Sequence, residues 1–181
     1  MKEKKISLSF DIGEILQDIL VECNLISTGM GDDVALEVKS NIKEPDGENT
    51  RTLISRGVTE AFGKVKVACS RYLRSGRITD DNSLERLVSL RLNDENGDEL
   101  GAVYEHVLID LYIPNYNTAV TDHLKSSIHQ YIVDWCMWRF LQNQIADKAA
   151  EYKTIAEEDY HSIVKDLQAR ENFNFRRATW L

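Results

Sequence analysis

The residues of this chain that could do chemistry are few and scattered. Glu158-Asp159-Tyr160-His161 holds a Glu-x-x-His at helical spacing. That is half of the carboxylate–imidazole signature with which helical bundles bind pairs of iron or manganese ions. Such a centre needs a second copy of the motif and a Glu from each of two facing helices. The chain contains no second copy, and the flanks of its most apolar segment offer none. Glu158 and His161 are therefore read as an exposed helix face, and a helical metalloenzyme is kept as a second alternative. His123 and His129 stand six residues apart, on different faces of one helix, and cannot share a metal as i, i+4 ligands would. The acidic stretch 93–99 has a calcium loop's composition without its alternating ligands or closing Glu. Cys23, Cys69 and Cys136 lie far apart in apolar settings, the pattern of free buried thiols in a reduced compartment. No Cys-x-x-Cys, phosphate-cradling glycine loop, Gly-x-Ser-x-Gly or zinc-protease helix motif occurs. No catalytic residue, metal or cofactor is assigned, and the reading is a protein that acts by contact.

Charge narrows the contacts. The net charge is −8, which argues against a general nucleic-acid coat, because phosphate binding needs a basic footprint. Positive charge is nevertheless concentrated. Arg51, Arg56, Lys64, Lys66, Arg71, Arg74 and Arg77 face only Glu60 between positions 51 and 77, so that window is +6 and the remainder −14. Arg71, Arg74 and Arg77 suit the negative end of a helix and are candidates for contact with DNA or an acidic neighbour. A DNA- or protein-binding helical regulator using the 51–77 helix is the first alternative function. The start, Met1-Lys2-Glu3-Lys4-Lys5, lacks a signal peptide's apolar run, and no stretch approaches the ~18 apolar residues of a membrane span. A soluble, intracellular protein without a membrane partner is expected.

The segment that must organise these groups runs from Asp122 to Ala149. At its middle, Tyr131-Ile132-Val133-Asp134-Trp135-Cys136-Met137-Trp138-Arg139-Phe140-Leu141 is apolar nearly all round a helix, interrupted by Asp134 and Arg139. Such a helix is surrounded by others. Ile12, Ile15, Leu16, Ile19, Leu20, Cys23 and Ile26 form the stripe of an amphipathic helix capped by Asp11 and ended by Gly29 and Gly31. A second helix is expected from Asp32–Asp33 to Ile42. A long one is expected over 52–75, striped by Ile54, Val58, Ala61, Val65, Ala68 and Tyr72 and ended by Gly76. Gly57 and Gly63 within it point to close helix–helix approach. Residues 4–10 alternate as a short strand or extended arm.

At 86–113 the period changes to two around Asn96-Gly97, the signal of a β-hairpin. Pro114-Asn115-Tyr116-Asn117 turns the chain, and Thr118 or Thr121 is expected to cap the central helix. A break near Asp147-Lys148-Ala149 then leads into an antiparallel partner helix striped by Ala149, Tyr152, Ala156, Tyr160, Ile163 and Leu167. The fold expected is a single mainly α (α+β) domain over 1–181, a helical bundle around a buried central helix with an inserted β-hairpin. A C-terminal docking tail occupies about 172–181. Its Phe173, Phe175, Arg176, Arg177 and Trp180 are of types enriched at interface hot spots, and these five are the candidate partner-binding residues.

The same residues carry a family resemblance. Leu111-Tyr112-Ile113-Pro114 closes the hairpin, and Ile128-His129-Gln130-Tyr131-Ile132-Val133 leads into Trp135 and Trp138. Ala149-Ala150-Glu151-Tyr152 follows, with Arg176-Arg177 in the tail and Ala68-Cys69-Ser70-Arg71-Tyr72-Leu73 earlier. Together they resemble the structural proteins of tailed bacteriophages, in the head–tail connector (adaptor, head-completion) class. The likeness spans most of the chain as a pattern of helices and aromatic positions, not as a motif with fixed chemistry. It implies a virion protein, met in the host cytoplasm during assembly, that forms an oligomeric ring below the portal and contacts portal and tail proteins. DNA would pass through the ring without specific binding, past a negative lining that gives phosphates no tight sites. The hairpin is a departure, since many all-helical adaptors lack it.

Overall fold

The computed structural model describes residues 3–30, 42, 48–73 and 106–170. The protein is mainly helical, with a small two-stranded antiparallel sheet. Strand β1 (Glu3–Asp11) leads directly into helix α1 (Ile12–Gly29). Helix α2 (Glu48–Cys69) ends in a tight 3-10 turn, Ser70–Tyr72. Strand β2 (His106–Pro114) and a second 3-10 turn, Thr118–Val120, precede helices α3 (Thr121–Leu141) and α4 (Ala146–Leu167). Of the expected second helix, only Ile42 is described; it is helical and fully buried. The first arm and turn of the expected hairpin (86–105) lie outside the described residues, as do the docking-tail positions from 171 onward.

Helix α3 is the hub, packing against α1, α2, α4 and β1. Its residues Tyr131, Ile132, Val133, Asp134, Trp135, Cys136 and Met137 are buried without a gap. This is what an apolar run on every face predicts. The α3–α4 pair is antiparallel, because contacts that step forward along α3 step backward along α4. His123 meets Asp166, Tyr131 stacks on Tyr160 at 5.7 Å, and Trp138 receives Lys153. The reversal comes at 142–145, a few residues before the expected break. There the Leu141 carbonyl accepts from both Gln144 N (2.9 Å) and Ile145 N (2.8 Å). Turning that early brings Ala149 and Ala156, both buried, onto the face of α3.

The sheet pairs β2 with the N-terminal strand. Ile6 faces Leu111, Leu8 faces Ile109 and Phe10 faces Val107. Ile6, Leu8, Phe10, Leu111 and Ile113 are buried on one side, and Phe10 meets Phe62 of α2 edge-on at 5.9 Å. On the other side Ser7 Oγ donates to Asp110 (2.6 Å) and Lys5 pairs with it (2.8 Å). These contacts, Lys5 foremost, hold the Asp110 carboxyl below its ordinary range. Period-two alternation at 4–10 and at 106–113 correctly gives two strands. Which strand pairs with which depends on contacts about a hundred residues apart, beyond the reach of local periodicity.

Caps and ends follow local chemistry. Asp11 caps α1 as expected, its Oδ1 accepting from Gly13 N at 2.7 Å. The central helix has no capping side chain, neither Thr118 nor Thr121: its N-cap position is Val120, and Asn117 caps the preceding 3-10 turn instead, its Oδ1 accepting from Ala119 N at 3.1 Å. Asn is the stronger acceptor at such a position, and the preceding 3-10 turn separates it from α3. Asn115, in the turn after Pro114, has φ 51°, a left-handed conformation that Asn tolerates better than most residues. Helix α2 stops at Cys69 rather than near Ser75. Its last turn tightens, and the Tyr72 hydroxyl accepts from the Arg170 guanidinium beyond the end of α4 (3.3 Å).

The two α2 glycines separate sharply. A Cβ at Gly57 would lie 3.0 Å from Cys136 Sγ and 3.3 Å from Cys136 Cα, so α2 and α3 meet there. Gly63 has nothing within 4 Å of its added Cβ, so close approach does not explain it. Gly57→Ala is expected to lose roughly 1–3 kcal/mol by overpacking against backbone. Gly63→Ala is expected to gain up to about 1 kcal/mol from helix propensity. Urea unfolding midpoints of the two variants should therefore move in opposite directions.

Candidate functional site

Arg71 is exposed in the 3-10 turn that ends α2. Arg74, Arg77, Phe173, Phe175, Arg176, Arg177 and Trp180 lie outside the described residues, so the proposed tail constellation has no geometry here. Glu158 and His161 are both exposed on α4, and among the described residues no group of three His, Cys, Asp or Glu side chains could hold a metal ion. His123 and His129 diverge as their spacing requires. His123 Nδ1 lies 2.6 Å from Asp166 Oδ2 on α4, and His129 Nε2 lies 2.7 Å from Asp18 Oδ2 on α1. Each ties α3 to a different neighbour.

Two constellations stand out in the described structure. The first is an aromatic and cationic cluster where α2, α3 and α4 meet. Trp135 and Trp138 pack edge-to-face with centroids 4.5 Å apart, and Tyr131 lies 5.9 Å from Trp135. Lys64 Nζ of α2 sits 4.4 Å above the Trp135 ring. The half-buried Trp138 is flanked by Arg139 at 5.5 Å and Lys153 of α4 at 5.7 Å. Cations over indole faces gain about 0.5–2 kcal/mol, more as they are desolvated. Arg139 also pairs with Glu60 at 3.0 Å, and Lys153 lies 3.9 Å from Glu157. The buried Trp135 Nε1 finds no acceptor among the described residues. Helical spacing puts 131, 135 and 138 on one stretch of α3. Arg139 is on α3 itself, but Lys64 and Lys153 come from α2 and α4, and the sequence does not show that they converge there.

The second constellation is acidic and buried. Asp134 is only 2% exposed. Gln130 Nε2, one turn earlier, donates to its two oxygens at 3.2 and 3.4 Å. Burial pushes the Asp134 carboxyl up to about 7, with the facing Asp159 and then Glu22 adding to the rise. The Asp159 carboxyl is also raised, by burial first and by the charge of Glu158. Glu22 of α1 accepts from the Tyr152 hydroxyl at 2.7 Å. Carboxyls from α1, α3 and α4 thus gather around one spot.

The cysteines are structural. All three are buried and free. Burial pushes the Cys23 and Cys69 thiols up to about 12 and raises that of Cys136 as well. Cys136 Sγ donates to the Ile54 carbonyl at 3.5 Å, across the α2–α3 contact, and Cys23 Sγ lies 3.8 Å from Met137 Sδ. A thiol kept protonated and out of solvent is a poor nucleophile. In native protein at pH 8 an aromatic disulfide reagent should label essentially none of the three within the time it labels all of them in 6 M guanidinium. Fast native labelling would show that the bundle opens where the structure closes it.

No family model, no curated protein and no solved structure matches this chain. Among the described residues no helix is long and apolar enough to cross a membrane.

Proposed function

We propose that the protein works by contact, as a virion structural protein of a tailed bacteriophage: a head–tail connector subunit that assembles into a ring below the portal. The observation that carries the contact reading is the Trp135–Trp138 cluster with Lys64, Arg139 and Lys153. Trp and Arg supply most of the energy at protein interfaces, and here they sit together where three helices meet. Exposed apolar residues add to it, among them Leu25 (61% exposed) on α1 and Val67 (69%) on α2. The connector class rests on the resemblance of the hairpin, the aromatic central helix and the arginine-bearing tail. In this reading Phe173, Phe175, Arg176, Arg177 and Trp180 dock on the portal or a tail protein, and DNA slides past an acidic lining. The virion, and the host cytoplasm during assembly, are the places of work.

A regulator that binds duplex DNA through the 51–77 helix is the second reading. It is favoured by Arg56, Lys66 and Arg71, all exposed along or just beyond α2, and opposed by the overall −8 charge.

Light scattering and native mass of the full chain, alone and with a tailed-phage portal protein, test the first reading. The expected result is a multi-subunit ring or a stoichiometric complex with the portal. Lys64→Glu with Lys153→Glu should weaken it at least tenfold while leaving the helical signal unchanged. A strict monomer that ignores the portal and binds duplex DNA with steep salt dependence would replace the connector by the regulator.

A further inference from the structure

We propose that Asp134 and Asp159 form a proton-operated latch: a proton shared between the two carboxyls holds α4 against α3 and α1, and its removal loosens α4. The proposal starts from placement. Asp134 lies at the centre of seven consecutive buried residues on the hub helix. On its own helix the only group bonded to it is the neutral Gln130 amide. From α4 it faces Asp159, with Glu158 beside that residue and the Tyr152 ring a turn or two away. From α1 come Glu22, tied to Tyr152, and the Cys23 thiol. Helix α2 packs on α3 through Gly57 and Cys136, and its Glu60 is paired with Arg139. No Lys, Arg or His among the described residues forms an ion pair with Asp134 or Asp159.

Among the described residues, every charge that bears on this pair is therefore negative. A buried and a half-buried carboxylate without a cation cannot both ionise cheaply. Asp159 Oδ2 makes the point geometrically, being buried with no hydrogen-bond partner among the described residues. A proton on Asp134 lets that carboxyl donate to Asp159, giving the pair the hydrogen bond it otherwise lacks. Tyr152 and Cys23 are themselves held protonated by burial and contribute no compensating charge.

The direction of the pH effect follows. The folded Asp134 binds its proton more tightly than the ~3.9 of an unfolded Asp, so the folded state holds more protons between that value and about 7. The closed form loses up to about tenfold in its equilibrium with the opened form per pH unit over that window. Below the window the stabilisation is complete, and above it the loss levels off. Carboxylates exposed to solvent show the opposite habit when cations hold them, as Asp110 does with Lys5.

Carbon-detected titration of Asp side chains in the full-length protein tests the first half directly. Asp134 should show an inflection near pH 7; an inflection below pH 5 overturns the proposal. Hydrogen exchange at pH 6 and pH 8.5, corrected for intrinsic rates, tests the second half. Protection of amides in the middle of α4 should fall about tenfold in the wild type. It should hardly change in Asp134→Asn, or in Asp134→Leu should the first variant fold poorly. An equal fall in a folded variant would place the pH response elsewhere and sink the latch. The His123–Asp166 and His129–Asp18 pairs are present in every variant, so the difference between proteins reports only the two aspartates.

Discussion

A helix that is apolar on every side has no face to give to water, and α3 imposes that condition on the rest of this protein. Burying one of its large side chains is worth about 1.5–3 kcal/mol. Seven consecutive positions, Asp134 among them, are buried only if neighbours approach from all directions. Helix α1 covers one side with Ile15, Ile19 and Cys23, and α2 covers another with Ile54, Val58 and Val65. Helix α4 folds back along the third. The sheet closes what remains, pressing Ile6, Leu8 and Phe10 inward. The small residues fall where this enclosure is tightest. Gly57 lets α2 reach the Cys136 backbone, and Ala149 and Ala156 let α4 lie close.

The polar ties are arranged around the same hub and help fix how its neighbours sit. His129 reaches Asp18 on α1 and His123 reaches Asp166 on α4. At the far end of α4, Asn117 N donates to the Ala169 carbonyl at 3.3 Å, and Arg170 reaches Tyr72. The α2 end, the β2–α3 connection and the α4 end are thereby drawn together. Lys4 Nζ donates to the Tyr116 carbonyl at 3.1 Å, joining the N-terminal strand to that junction. Exposed ion pairs individually add at most about 1 kcal/mol. Their importance here is geometric, since each joins segments that the chain visits far apart in sequence.

How much of this could be read from the residues depended on range. The periodicity of Ile12 to Ile26 gave α1, its Asp11 cap and its end near Gly29, because those depend on neighbours three or four residues away. The all-round apolarity of 131–141 gave the hub for the same reason. Errors fell where distant contacts decide. The central helix turns at 142–145 because α4 must bring its alanines onto α3. The helix α2 is shortened where Tyr72 meets Arg170. In the site the two Trp and the neighbouring Arg139 are visible in sequence, but Lys64 and Lys153 come from α2 and α4. In the sequence Asp134 is only an interruption in an apolar run. That Asp159 and Glu22 converge on it is a fact of the α1–α3–α4 crossing, and nothing in local spacing encodes it.

An interruption of that kind usually weakens a core, since a buried carboxyl with no cation costs several kcal/mol unless it is protonated and bonded. Its retention at the centre of the most apolar helix has a physical use apart from acidity. Leucine and valine surfaces on two antiparallel helices can slide by a turn with little loss, because one apolar residue packs much like another. A carboxyl that has to meet one particular partner cannot slide. With Asp134 facing Asp159, a one-turn shift of α4 would set a polar group against the Ile and Ala of its neighbour and leave both aspartates unsatisfied. The pair therefore selects one register of α3 on α4 in the way that single polar residues select register in coiled coils. The same register sets Tyr131 against Tyr160 and Lys153 against Trp138. The aromatic contact surface is thus held in place by the acidic pair beside it, since Asp134 stands one turn from both Tyr131 and Trp138.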